Sequence, residues 1–192
     1  MRVVIAEDDP ITRLDLKKLL EQAGVEILGE GKDGIDAVSL CAKYSPDVAI
    51  MDINMPSLDG LNAAKILYRD KLCKAVVLLT AYSDYEYIES AKEIGVQGYL
   101  VKPLNVRSLV STLEIALASA IKTEDLQEKV DKITKKMEDR KLIDRAKTYL
   151  METEGLTEDE AYRKIRNLSM QKNCSMRVIS EIFLLSKERS LL

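Results

Sequence analysis

Short, wholly apolar runs alternate with amphipathic stretches over the first part of the chain. Val3-Val4-Ile5-Ala6 runs into Glu7-Asp8-Asp9-Pro10, and Val48-Ala49-Ile50-Met51 runs into Asp52. The run over 75–79 ends at Thr80, and Gly98-Tyr99-Leu100-Val101 ends at Lys102-Pro103. Each reads as a buried strand with a polar residue at its C-terminal end. A weaker strand is expected over 26–29. Between them, Leu14, Leu16, Leu19 and Leu20 recur at helical spacing over 11–23, with Gly24 as the stop. Further helices are expected over 34–44 (carrying Ile35, Val38 and Leu40-Cys41-Ala42), over 61–68 and over about 85–94. Five strands alternating with helices, each connection too long for a hairpin, predict an α/β fold: a doubly wound five-stranded parallel sheet. The right-handed crossover rule gathers the strand C-termini along one edge.

From residue 105 the pattern changes. Neither Pro nor Gly occurs between Leu104 and Glu154, so the fifth helix has no evident stop. Read in sevens, its seam is fully apolar only over Leu126, Val130, Ile133 and Met137. That fits either a short parallel coiled-coil dimer seam or a solvated helical linker with an apolar stripe. Three helical stretches follow, over about 139–153, 158–172 and 175–187. Thr157 and Glu160 make a capping box. The stripes expected to face inward are Ile143, Ala146 and Leu150, then Ala161, Ile165 and Leu168, then Val178, Ile182 and Leu185. The expected division is a first domain over 1–120, a helical linker over 121–137 and a small three-helix bundle over 138–192. So small a bundle is expected to lean on a partner for stability.

Composition narrows the chemistry. With 46% hydrophobic and 32% charged residues the chain can bury a core, and its single Phe and absent Trp leave the packing to aliphatic side chains. The net charge of −3 is no nucleic-acid signature for the whole chain. No apolar run reaches the roughly 18–20 residues of a membrane span, so no membrane partner is expected. Three scattered cysteines (Cys41, Cys73, Cys174) without metal-ligand spacing fit a reducing cytoplasm. Histidine is absent, which excludes a Ser-His-Asp relay and any His-based metal site.

What remains is carboxylates, hydroxyls and lysines at the strand edge. Asp52 alone reads as a strand-capping residue in an ordinary loop. In company with Glu7, Asp8, Thr80 and Lys102 it describes a different site. Clustered carboxylates call for a hard divalent cation, and Mg²⁺ suits two or three carboxylates plus water. A cation, an ammonium and a hydroxyl around one carboxylate suit a phosphoryl group, with Asp52 attacking phosphorus in line.

These motifs, in this order and with Met55-Pro56 and Asp59-Gly60 after Asp52, resemble the receiver domain of two-component response regulators, which has a flavodoxin-like fold. The resemblance covers about residues 1–120. It implies that Asp52 is the phosphoacceptor for a separate sensor histidine kinase. It further implies that Glu7, Asp8, Asp52 and the backbone carbonyl of Asn54 hold Mg²⁺. Thr80 and Tyr99 would be the switch pair, Lys102 would contact the phosphoryl group, and Lys102-Pro103 would be cis. Glu7 stands where the family more often has Asp. Taken alone, Tyr99 reads as a core residue.

The remainder, over 138–188, is similar to the ANTAR family of RNA-binding antitermination modules. Lys141-Leu142-Ile143-Asp144-Arg145-Ala146-Lys147-Thr148-Tyr149-Leu150-Met151, Glu160-Ala161-Tyr162, Ile165-Arg166, Ser169-Met170 and Met176-Arg177-Val178-Ile179 carry the likeness. Thr148, Ser169 and Ser180 depart from it, small for small. Both modules together faintly resemble the ethanolamine-utilisation antiterminators. From Glu138 onward there are 11 Lys and Arg against 10 Asp and Glu, so RNA binding requires the basic residues to be segregated on one surface. Lys147, Tyr162, Arg163, Arg166 and Arg177 are the expected RNA contacts, with Tyr162 equally open to a packing role.

The expected function is a regulator, not an enzyme. Phosphorylation at Asp52 would favour a homodimer that grips a hairpin-bearing leader RNA and promotes antitermination. The alternative is a response regulator with a DNA-binding or protein-binding helical output. A DNA-binding helix-turn-helix would favour a Gly-bearing turn, and the 172–175 turn has none. An aspartyl-phosphate hydrolase would want a carboxylate where Asn54 stands.

Overall fold

The computed structural model describes residues 1–81, 91 and 94–189. The helix expected over 85–94 lies largely outside them. Contacts divide the chain into two compact units, Met1–Asp125 and Leu126–Leu192.

The first unit is a five-stranded parallel sheet. Its strands are β1 (Arg2–Ala6), β2 (Glu26–Gly31), β3 (Val48–Asp52), β4 (Ala75–Thr80) and β5 (Gly98–Val101), in the order β2-β1-β3-β4-β5. The helices α1 (Pro10–Gln22), α2 (Gly34–Tyr44) and α3 (Gly60–Arg69) connect them, and α4 (Val106–Glu154) follows β5. Side chains alternate along a strand, and here both faces are covered. Val3 and Ile5 pack with Leu16, Leu20, Leu109 and Leu113, while Val4 and Ala6 pack with Cys41, Met51, Ala63 and Leu67. That double burial is why the strands read as unbroken apolar runs. Not every apolar position in these helices is core: Leu14 is 49% and Ile35 is 57% exposed. Leu16 and Leu20 take the buried face of α1, and Ala37 and Cys41 that of α2. Cys41, Cys73 and Cys174 form no disulfide.

In the second unit α4 runs on to Glu154, so the expected linker and the first bundle helix are one uninterrupted element. Every residue over 121–137 is exposed. Then come α5 (Glu158–Gln171) and α6 (Met176–Arg189). The Thr157 side chain accepts from the Glu160 amide and Glu160 bonds back to the Thr157 amide, which is the capping box read from the sequence. The bundle core is Ala146, Leu150, Ala161, Ile165 and Ile179, with Ile143, Leu168, Phe183 and Leu184 packed on it. The third stripe is corrected. Val178, Ile182 and Leu185 are 41%, 56% and 62% exposed, and Ile179 and Phe183 face inward instead. Apolar residues ring α6, so periodicity did not select its buried face. The small Ser180, fully buried with its hydroxyl donating to the Met176 carbonyl, lies on the inner side. Among the described residues no helix is long and apolar enough to cross a membrane.

Candidate functional site

Parallel strands deliver their C-termini to one edge, and there β1, β3, β4 and β5 present Glu7, Asp52, Thr80 and Lys102. The edge is braced by backbone. Glu7 N–H donates to the Gly31 carbonyl, Ile53 N–H to Leu79 and Lys102 N–H to Thr80, at 3.1, 3.0 and 2.8 Å. The Lys102-Pro103 bond is cis, as expected. Pro10 opens α1 and Asp9 caps it, accepting from the amides of Ile11 and Thr12. That cap turns the acidic loop away from the strand and leaves Asp8 exposed beside the buried Glu7.

Carboxylate oxygens of Glu7, Asp8 and Asp52 lie within 4.8 Å of one another. The Lys102 ammonium donates to Glu7 Oε2 at 2.6 Å and to Asp52 Oδ2 at 2.9 Å. One cation is thus shared between two nearly buried acids. Burial pushes the Glu7 carboxyl above the ordinary carboxylate range. The Lys102 hydrogen bond opposes that rise, and the Asp52 charge adds to it. Burial works against the Lys102 ammonium as well, but its bonds to Glu7 and Asp52 prevail and hold it above the usual lysine value. Three carboxylates thus share this edge with a single ammonium. Three hard oxygen donors at this spacing, with one ammonium among them, fit a divalent cation such as Mg²⁺.

Two contributors carried no sequence signal for their role. Arg13, one turn into α1, donates from Nη1 to the Glu7 carbonyl at 2.6 Å and ties the acidic loop down. Gly60 opens α3 against the end of β3. A Cβ there would stand 2.1 Å from the Asp52 carbonyl oxygen. Asp59-Gly60 was visible as a motif, but not as the close approach that demands glycine. Asn54 is exposed in the loop after β3, and Thr80 is buried at the end of β4. Tyr99 is 47% exposed, which removes the core reading of that residue.

In the second unit the basic residues fall into two groups. Lys147 donates to Asp144 and Glu158, both at 2.7 Å, and its side chain is only 14% exposed. Arg177 reaches Asp139 at 2.8 Å and Glu181 at 3.0 Å. Lys164 pairs with Glu154 and lies 5.8 Å over the Phe183 ring. Arg163 and Arg166 are exposed on α5, as is Tyr162 at 43%. The acids Glu158, Asp159 and Glu160 gather in the first turn of α5, where the helix dipole favours them. Leu126, Val130, Ile133 and Met137 line one side of α4, each 52–59% exposed.

Known proteins share both patterns. Residues 3–114 match the response regulator receiver domain, and residues 131–184 match the ANTAR domain. The transcriptional regulatory protein PdtaR of Mycobacterium tuberculosis is 36% identical over 183 residues, 95% of this chain and 89% of that protein. The transcriptional regulatory protein DegU of Brevibacillus brevis is 32% identical over 116 residues, 60% of this chain and 49% of its own. Among solved structures, the chemotaxis protein CheY4 of Vibrio cholerae superposes with a TM-score of 0.56 at 30% identity. That match covers 60% of this chain and 97% of that one.

Proposed function

The chain belongs to the response regulators that join a receiver domain to an ANTAR domain, and from that premise we propose that it is a phosphorylation-controlled, RNA-binding antiterminator. The observation that carries the phosphorylation step is Lys102 held between Glu7 and Asp52 at the strand edge, beside the exposed Asp8, and the ANTAR match over residues 131–184 supports the RNA step.

Asp52 is the phosphoacceptor, and a separate sensor histidine kinase is the donor. An Asp52 oxygen attacks phosphorus in line. The new P–O bond forms as the P–N bond to the donor histidine breaks, and the electron pair leaves with that nitrogen. Glu7, Asp8, Asp52 and the Asn54 carbonyl hold Mg²⁺, which when bound supplies positive charge to the transferring oxygens. Lys102 exchanges its carboxylate partners for a phosphoryl oxygen, and the Thr80 hydroxyl turns toward another. That inward shift of Thr80 is followed by Tyr99, which links the site to the receiver surface.

The output step is pairing. Phosphorylated receivers favour a homodimer through Leu126, Val130, Ile133 and Met137, which brings two ANTAR bundles onto a hairpin-bearing leader RNA and keeps a terminator from forming. Exposed Tyr162, Arg163 and Arg166 meet the RNA, and Lys147 and Arg177 join them by exchanging their carboxylate partners for it. Phosphoryl uptake from phosphoramidate with Mg²⁺ tests the first step, and Asp52→Asn must abolish it. A gel shift of the phosphorylated protein on hairpin leader RNA and on the matching duplex DNA tests the second. Binding to the DNA as tight as to the RNA ends this reading.

A further inference from the structure

Helix α5 presents two adjacent rows of different chemistry. One holds Tyr162, Arg166 and Met170, all exposed. The other holds Arg163, Asn167 and Gln171, four residues apart and exposed, along a shallow groove of about 420 Å³ that Glu160, Lys164 and Leu168 complete. Charge decides what this groove can take. Lys164 is already paired with Glu154, and Glu160 stands beside Arg163. The groove therefore has no surplus of positive charge and offers the phosphate backbone no favourable track, since backbone affinity comes from releasing counterions to unpaired Lys and Arg. Its spare hydrogen-bonding groups are instead the two amides and one guanidinium, above the apolar side of Leu168. Asn and Gln pair in two-point fashion with adenine N6 and N7, and Arg with guanine O6 and N7. In RNA those edges are open on unpaired bases, not in the deep major groove of a duplex.

We propose that the row Arg163, Asn167 and Gln171 reads the edges of unpaired purines in an RNA loop, while Arg166 in the neighbouring row holds the backbone. Asn167 and Gln171 are then specificity-determining residues. The inference rests on the RNA-binding reading above and adds which side chains discriminate sequence.

The test uses the full-length protein, phosphorylated with phosphoramidate, and a pool of RNA hairpins with randomised loops. The wild type is expected to enrich purine-bearing loops. Asn167→Ala/Gln171→Ala is expected to bind the unselected pool as tightly as wild type, with the same salt dependence. Its preference for the enriched loops falls about tenfold or more. Arg166→Ala is expected to weaken selected and unselected RNA alike and to flatten the salt slope by about one. Circular dichroism checks that the helix persists, as alanine should ensure on an exposed face. If the amide double variant keeps the wild-type preference, or loses selected and unselected RNA in equal proportion, the base-reading role is overturned and RNA binding stands. If the wild type enriches no loop and binds hairpin no better than duplex DNA, the RNA reading and this inference fall together.

Discussion

Burial, with the Asp52 charge behind it, outweighs the Lys102 hydrogen bond at Glu7. Its folded pKa lies above the unfolded value, so the stabilising contribution of protonated Glu7 is fully present below about 4.5 and is lost as pH rises through the folded value. In chelator, wild type should therefore lose stability relative to Glu7→Gln as pH climbs from the acid range to neutrality. At neutral pH Glu7→Gln should melt higher while no longer taking up phosphate. Thermal melts across pH read the first and phosphoramidate labelling the second; a wild type that melts as high as the variant at neutral pH refutes the expectation. Gly60→Ala acts by space alone. A Cβ 2.1 Å from the Asp52 carbonyl meets backbone that cannot rotate away, so a loss of about 1–3 kcal/mol is expected in urea melts, with slower labelling of Asp52. The strand-end residues were legible in the sequence because an apolar run that stops at a charge announces both the strand and its edge. Arg13 was not, because its partner is a carbonyl oxygen, which every residue has and no pattern marks.

Among whole elements, the strands and the capped helices were the readable ones. β3 is buried along its whole length, and a sheet covered on both faces leaves an apolar run little other interpretation. The Thr157–Glu160 box was equally plain, since its two reciprocal bonds depend only on local spacing. Thr157→Ala should cost about 1 kcal/mol, measured by urea unfolding. Helix α6 shows where periodicity runs out. Apolar side chains on every side make several faces eligible, and only the packing shows Ile179 and Phe183 inward beside the buried Ser180. Ile179→Ala should therefore destabilise by about 2–4 kcal/mol, while Ile182→Ser should stay within about 0.5 kcal/mol. Equal costs at the two positions would restore the stripe first expected from the sequence. The length of α4 was half legible: the absence of Gly and Pro shows that nothing stops it, but not that a receiver helix and a bundle helix are one.

For the molecule as a whole, the two units carry separate cores, and pairing is the step that would make them act as a switch. Phosphorylation is expected to double the sedimenting mass. Ile133→Lys should hold the phosphorylated protein at the monomer mass, since a charge placed in so short a seam removes much of its apolar surface. A phosphorylated Ile133→Lys protein that still sediments as a dimer would move the interface elsewhere. Such a seam has a second consequence, in degradation. Helix without tertiary packing is marginal in water and opens readily, and every residue over 121–137 is exposed. Lys122, Lys129, Lys132, Lys135 and Lys136 stud that stretch, so if phosphorylation pairs two chains there, trypsin is expected to cut it readily in a lone chain and slowly in the phosphorylated protein. The rate at which the protein is nicked in two would then report its phosphorylation state on a gel, without any RNA.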